Sequence, residues 1–253
     1  MTGRLRIDEI APGVVQVVDG GADPAILRAA VETALAEGWR RVEARIPAGD
    51  PAARRAAARA GLRLEGLLRG AAPDGGDLAL MARLAGDPAP DSRDGFSAVL
   101  NTTLPLKRNI AQGLVRDPAG RVLLCETTYK RDWDLPGGVV DPGEPPSRTV
   151  EREIEEELGL TLPVGDLATV AWLPPYLGWA DATLFVFDTG VHDPAIVEAM
   201  VLQPQEIRAV HWAGPDEIAA RTAPYVQALL THLGAREPRS GTTYLVDGRP
   251  RRT

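Results

Sequence analysis

Three glutamates, Glu153, Glu156 and Glu157, stand at i, i+3 and i+4 in the run EREIEEELGL, residues 151–160. On a helix that spacing brings all three carboxylates to one face. Like charges so placed destabilise a bare helix by about 0.2–0.5 kcal/mol per pair. A helix that holds hard divalent cations, Mg²⁺ or Mn²⁺, gains from the same arrangement, because oxygen donors suit those ions. Arg152, beside them, is able to restrain a carboxylate through a bidentate contact. The turn Gly137-Gly138 permits close backbone approach, so a carbonyl oxygen there can enter a metal shell. The competing reading is a solvated helix face, which accounts for most charge runs. Spacing is what separates the two.

Such a cluster needs a frame. Val150, Ile154 and Leu158 form a separate stripe at i+4 steps that would anchor the helix on a sheet. Pro145 and Pro146 suit its first turn and Gly159 its end, which predicts a helix over 146–158. Strand-like runs lie at 109–116 and 121–128, around a turn at 117–120, and further strands are expected at 168–173, 182–187, 207–212 and 242–246. A helix is expected over 223–233. Upstream, strands are predicted at 13–18, 39–46, 62–68 and 77–84, with helices at 25–37 and 51–60. The polar stretch AGDPAPDSRDG, residues 85–95, is the linker candidate. The reading is therefore two α/β domains in series, 1–84 and 96–253.

Composition narrows the function. The net charge is -7, from 35 acidic and 28 basic residues, so a broad basic surface for a nucleic-acid polymer is not expected. Up to Gly95 there are 13 arginines against 14 acids, so most of the surplus lies beyond, and six acids fall between Glu144 and Glu157. Bound divalent ions would neutralise much of it. The longest apolar run, 167–180, is interrupted by Pro174 and Pro175, and no stretch reaches the roughly 20 residues of a membrane span. Residues 1–13 mix Arg4, Arg6, Asp8 and Glu9 without an apolar core, which predicts no secretory signal and a cytoplasmic setting. The single Cys125 excludes an intrachain disulfide and a cysteine-based zinc site.

Residues 138–160, GVVDPGEPPSRTVEREIEEELGL, resemble the Nudix box, G-x5-E-x7-R-E-U-x-E-E-x-G-U. Gly138, Glu144, Arg152, Glu153, Ile154, Glu156, Glu157, Gly159 and Leu160 fill its fixed positions. The resemblance covers roughly residues 97–248 and implies an α/β/α sandwich. It also implies a metal-dependent pyrophosphohydrolase that cleaves a nucleoside diphosphate linked to another group. Carried over, Glu153, Glu156 and Glu157 are metal ligands, with the Gly137 carbonyl a fourth. Arg152 and Glu144 hold the loop–helix geometry, and Glu144 reaches a metal through water. The family often places a further glutamate outside the box as ligand or base; Glu206, before the strand at 207–212, stands in that context, with a surface glutamate as the bland alternative. His211 alternates with Ile207 and Ala209 and is read as packed or exposed rather than catalytic. The reading from another class is a non-catalytic nucleotide-sensing module, which the full set of box glutamates disfavours.

Substrate choice lies outside the box. Pro174 and Pro175, 15 and 16 residues after Gly159, resemble the proline marker of ADP-ribose pyrophosphatases, while Tyr176 resembles the tyrosine of dinucleoside polyphosphate hydrolases. Trp133, Tyr176 and Trp179 are candidates for stacking on a base, which could contribute about 1–3 kcal/mol. Trp172 alternates with apolar neighbours and can be core. Lys130 and Arg131 are candidates for phosphate contact, or else solvated loop residues.

Residues 39–84 resemble the later part of an N-acetyltransferase of the GNAT type: WRRVEARI, then GDPAARRAAARAGLRLEGLLRG, then DLALMARL. The chain departs from that pattern at the pyrophosphate loop, where residues 19–23 read DGGAD and their acids would oppose a phosphate. The first half of the fold is also lacking. A degenerate, non-catalytic half-fold used for packing or homodimerisation is the expectation, since an incomplete sheet leaves an edge strand to cover.

Overall fold

Alternating Val, Ile and Leu positions and two short alanine-rich helices assemble the first unit. The computed structural model describes residues 5–18, 23–176, 178–235 and 241–251, which fall into two units, Met1–Pro105 and Leu106–Thr253. In the first, β1 (Arg6–Ala11), β2 (Val14–Val18), β3 (Arg41–Pro47), β4 (Arg63–Leu68) and β5 (Leu78–Leu84) form a sheet in the order β1-β2-β3-β5-β4. β2 and β3 run parallel, so the connection between them crosses over through α1 (Pro24–Ala36). α2 (Pro51–Arg59) connects β3 to β4. Both helices begin on an aspartate and a proline: Asp23 accepts from the Ala25 amide at 2.7 Å, and Asp50 from Ala52 and Ala53 at 2.9 and 3.0 Å. Val15, Val17, Val42, Ala44, Leu27, Val31 and Ala57 make the core under them. Residues 19–22 of the presumed pyrophosphate-loop position lie outside the described residues.

The segment expected as a linker ends differently. Ser92 caps a further helix, α3 (Arg93–Thr103), by accepting from the Gly95 amide at 3.1 Å. α3 belongs to the first unit, where the Thr102 hydroxyl accepts from the Leu64 amide at 3.2 Å. The boundary is thus at Pro105 and Leu106, and residues 96–105, expected in the second domain, are part of the first. Gly95 explains why the helix was missed: its presence argues against a helix interior, yet a Cβ there would lie 2.0 Å from the Ala89 carbonyl oxygen.

The second unit is a mixed sheet between helices. Its elements are β6 (Arg108–Arg116), β7 (Val122–Thr127), β8 (Gly137–Val139), α4 (Pro146–Leu158), β9 (Leu167–Leu173), β10 (Ala182–Val191), a 3-10 helix (Pro194–Ala199), β11 (Ile207–Ala213), α5 (Pro215–Arg221), α6 (Pro224–Gly234), β12 (Thr243–Val246) and β13 (Arg249–Pro250). The strand order is β11-β7-β6-β10-β9-β12-β13, with β8 paired antiparallel to β6. Neighbouring residues on a strand go to opposite cores. Leu114, Leu124 and Leu184 pack with Val226 and Leu229 of α6. Val115, Leu123 and Phe185 pack with Val150, Ile154 and Leu158 of α4. That alternation is the α/β/α sandwich expected from the box. Among the described residues, no helix is long and apolar enough to cross a membrane.

Candidate active site

The apolar stripe of α4 decides which way its glutamates face. Val150, Ile154 and Leu158 are fully buried against the sheet, and Gly159, at φ 66°, ends the helix in a left-handed cap. The carboxylates are left at the flank of that stripe, toward the turn that precedes β8. Gly137 has φ 137°, and a Cβ on it would lie 2.2 Å from the Ala111 carbonyl oxygen. A Cβ on Gly138 would sit 2.3 Å from Glu153 Oε1. Only two glycines let this backbone run so close to both β6 and the helix. The Gly137 amide uses that proximity to donate to Glu157 Oε2 at 3.0 Å.

Arg152 is the hub of the charged face. Its Nε and Nη2 donate to Glu144 Oε1 and Oε2, both at 3.1 Å, a bidentate contact that ties the loop to the helix. Its Nη1 donates to Glu153 Oε1 at 2.9 Å and to Glu156 Oε2 at 3.0 Å. Thr149 adds a hydroxyl to Glu144 Oε2 at 2.7 Å. Arg152 first, then Thr149, holds the Glu144 carboxyl down at about 2. The expectation for Arg152 and Glu144 as geometry-holding residues has this arrangement as its physical counterpart.

Glu157 is the opposite case. It is 5% exposed, and burial pushes its carboxyl up to about 8 against the pull of the Gly137 amide, with Glu153 and Glu206 adding repulsion. Glu153 is also raised, again first by burial, with Arg152 opposing and Glu156 and Glu206 contributing. Glu206, exposed in the turn before β11, adds to the repulsion at both carboxylates. Its backbone carbonyl accepts from the Thr128 amide at 2.8 Å. Among the described residues, no three ligating side chains yet enclose a common point; Arg152 Nη1 bridges Glu153 and Glu156. The donor set nonetheless fits a hard divalent cation: all oxygen, partly buried and mutually repelling, so a cation would relieve what Arg152 leaves uncompensated.

Other expected residues fall in different places. Trp133 is not a base platform. It is 9% exposed within the α6-side core, stacks on the His211 ring at 3.8 Å and 3°, and has the Arg221 guanidinium 5.5 Å from its centroid. His211 in turn is 3.2 Å from Glu126, in keeping with a packed histidine. Tyr176 and Trp179 are exposed, 59% and 62%, and their backbones bond to each other across the turn. The Arg108 guanidinium lies 4.7 Å from the centre of the Trp179 ring. Trp172 is partly buried and donates to Asp181 at 2.9 Å. Arg131 is exposed, whereas Lys130 donates to Asp134 at 2.6 Å.

That last bond belongs to a group the sequence did not suggest. Asp134 is buried and accepts from Gln112 Nε2 at 3.0 Å and from Tyr225 Oη at 3.4 Å, besides Lys130. Burial, then the adjacent Asp134, holds the Tyr225 phenol protonated well above its ordinary range. The network fastens β6, α6 and the start of the Gly137 turn to one carboxylate. The only local hint was a charged residue between Trp133 and Leu135.

Comparison with known proteins accords with this site. The sequence profile of the family described as "NUDIX domain" matches residues 106–233. The chain is 35% identical over 96 residues to "Uncharacterized Nudix hydrolase orf19" of Rhodococcus erythropolis, covering 34% of this chain and 48% of that protein. It is 36% identical over 55 residues to the "8-oxo-dGTP diphosphatase" of Haemophilus influenzae, covering 20% and 40%. A "MutT-like protein" of Streptomyces ambofaciens is 29% identical over 150 residues, covering 54% and 84%. The chain thus spans under half the length of the first two relatives. A profile that spans half of the chain, over a sandwich carrying every fixed residue of the box, establishes that the chain belongs to the Nudix family.

Proposed function

We propose that the second unit is a metal-dependent pyrophosphohydrolase acting on phosphoric anhydride bonds. Its substrate would be a nucleoside diphosphate linked to another moiety, with ADP-ribose-like compounds slightly ahead of nucleoside triphosphates. The observation that carries this reading is the gathering of Glu153, Glu156 and the buried Glu157 on the face of α4 beside the Gly137 turn, with Arg152 bridging two of them and the Gly137 amide holding the third. Glu153, Glu156 and Glu157, with the Gly137 carbonyl, would hold Mg²⁺ or Mn²⁺, and Glu144 would reach it through water. The bound ion would lower the pKa of a water and neutralise the diphosphate.

The chain's own residues do the rest. Arg152 orients Glu144, Glu153 and Glu156. We assign the proton of the attacking water to Glu206, an exposed carboxylate outside the box whose side chain, among the described residues, makes no hydrogen bond or ion pair. Tyr176 and Trp179 offer exposed rings to a base, and Arg131 an exposed cation to phosphate. The similar protein named an 8-oxo-dGTP diphosphatase favours the triphosphate arm, and the Pro174-Pro175 turn the ADP-ribose arm.

The test is release of phosphate or AMP from a nucleotide panel with Mg²⁺ and with Mn²⁺. Turnover is expected in the parent and not in Glu156→Gln or Glu157→Gln. Tight nucleotide binding without turnover across the panel would instead favour a sensing module.

The first unit is taken as an incomplete acetyltransferase-like fold that serves packing or homodimerisation. The exposed edge strand β1 supports the association, and sedimentation of the full chain tests it.

A further inference from the structure

The first unit contains a cleft of about 750 Å³ whose lining comes entirely from that unit, on α1, α2, α3 and the approach to α3. This is the size of a small-molecule site. One wall is apolar: Val99 is buried, while Phe96 and Leu100, one turn apart on α3, stay 59% and 40% exposed. Exposed apolar groups grouped in a concavity, rather than scattered singly, call for an apolar occupant.

Another part of the lining is basic. Arg54, Arg55 and Arg59 of α2 all line the cleft. Among the described residues, none of the three side chains makes an ion pair or hydrogen bond, and α2 carries no acid. Arg55 and Arg59 stand at i and i+4, where like charges repel. The one acidic side chain in the lining, Asp91, is engaged by Arg28 at 3.1 Å, and Arg28 also holds Glu32 at 2.9 Å. That leaves three arginines without a side-chain partner in the lining of a cleft that is also apolar at Phe96, Val99 and Leu100, in a chain whose net charge is -7.

The geometry points to this cleft as the binding site of a small amphiphilic anion, an aliphatic chain with a carboxylate or phosphate head. The head meets Arg54, Arg55 and Arg59, whose planar donors suit either oxyanion, and the chain lies on Phe96, Val99 and Leu100. A nucleotide fits less well. Phe96 is the single aromatic in the lining, and the Thr103 hydroxyl is already donated to the Leu100 carbonyl, so little remains to read a base edge. The site is separate from the hydrolase reading and does not depend on it.

The full chain is titrated calorimetrically with dodecanoate and dodecyl phosphate below their micelle concentrations, with inorganic phosphate and dodecyl maltoside alongside. Saturable one-to-one binding of an anionic amphiphile is expected, weakening with salt. The triple change Arg54→Gln, Arg55→Gln, Arg59→Gln should weaken it by at least about tenfold, the scale of one lost charge-assisted contact. Leu100→Glu, at an exposed position, should do the same. Vesicles of phosphatidylglycerol are titrated as well, and five outcomes overturn the proposal: no saturable binding, equal affinity for the maltoside, affinity unchanged in the triple variant, binding to the vesicles alone, or a dimer that Leu100→Glu dissociates while no amphiphile binds. Nucleotide turnover by the triple variant should match the parent, which keeps this result apart from any failure of the hydrolase reading.

Discussion

Helices α2 and α4 are both short, both begin at a proline and both are densely charged, α2 by arginines alone and α4 mostly by glutamates, yet they handle that charge in opposite ways. The acids of α4 surround an arginine of the same helix, which reaches back to Glu144 and across to Glu153 and Glu156. The arginines of α2 have no such internal partner. Their anchoring differs as well: α4 buries Val150, Ile154 and Leu158, whereas α2 buries Ala56 and Ala57. A large stripe fixes which face of α4 looks at the Gly137 turn, so its charges can be read from spacing alone. On α2 the stripe is made of methyl groups, and the meaning of its charges comes from α3, a helix that arrives some forty residues later.

The widest separation between the two helices should appear in turnover. Glu157→Gln keeps the shape of the buried side chain but removes its charge, and kcat should fall by about 10²–10⁴, the range for a lost acid–base or ligand group. Single-turnover kinetics on the best substrate of the panel would measure it. Arg55→Gln, an equally conservative loss of charge on α2, should leave kcat where it was. Equal losses would mean that the charge of α2 matters for turnover as much as that of α4.

Arg152 should come next. Arg152→Ala frees Glu144, Glu153 and Glu156 at once, and an activity loss of about 10–100-fold is expected for a residue that orients ligands. Arg152→Lys should rescue little of it, because an ammonium cannot span both oxygens of Glu144. A shifted metal dependence with unchanged far-ultraviolet dichroism would separate misplaced ligands from a misfolded helix.

Stability gives the third contrast. Ile154→Ala, in the fully buried stripe of α4, should cost about 2–5 kcal/mol. Ala57→Gly on α2 should cost about 1 kcal/mol, chiefly in backbone entropy. Calorimetry of the full chain would show whether each change moves its own unit's transition.

These contrasts also mark what could be read from residues in order. The box, its helix and most strands follow from periods and caps, because each signal is local. Six elements escaped, the 3-10 helix, α5 and β13 among them, and the other three did so for physical reasons. β1 carries a bulge between Glu9 and Ala11, which breaks the period of two. α3 contains Gly95, chosen for contact with a carbonyl rather than for helicity. β8 is three residues long and exists through its pairing with β6. Trp133 was misread because its partners, His211 and Arg221, are distant in sequence. The Asp134 network was invisible for the same cause, with Gln112 on β6 and Tyr225 on α6. Local chemistry was legible; convergence was not.

The smallest effect concerns an acid of the first unit whose partner is in place. Arg41 donates to Glu65 Oε1 at 2.9 Å and to Oε2 at 2.6 Å, and this contact lowers the Glu65 carboxyl despite partial burial. A carboxyl depressed in the folded state contributes stability that is fully present above its unfolded value, about 4.3. The contribution is lost as pH falls through the lower folded value, where both states are neutral. Glu65 is more than a third exposed, so solvent screening keeps the whole effect below about 1 kcal/mol. Parent and Glu65→Gln should therefore differ slightly in Tm at pH 7 and converge in acid. A gap that persisted undiminished at pH 2 would mean that the glutamate acts through packing rather than charge. The first unit's paired and unpaired arginines would then no longer be told apart by their electrostatics.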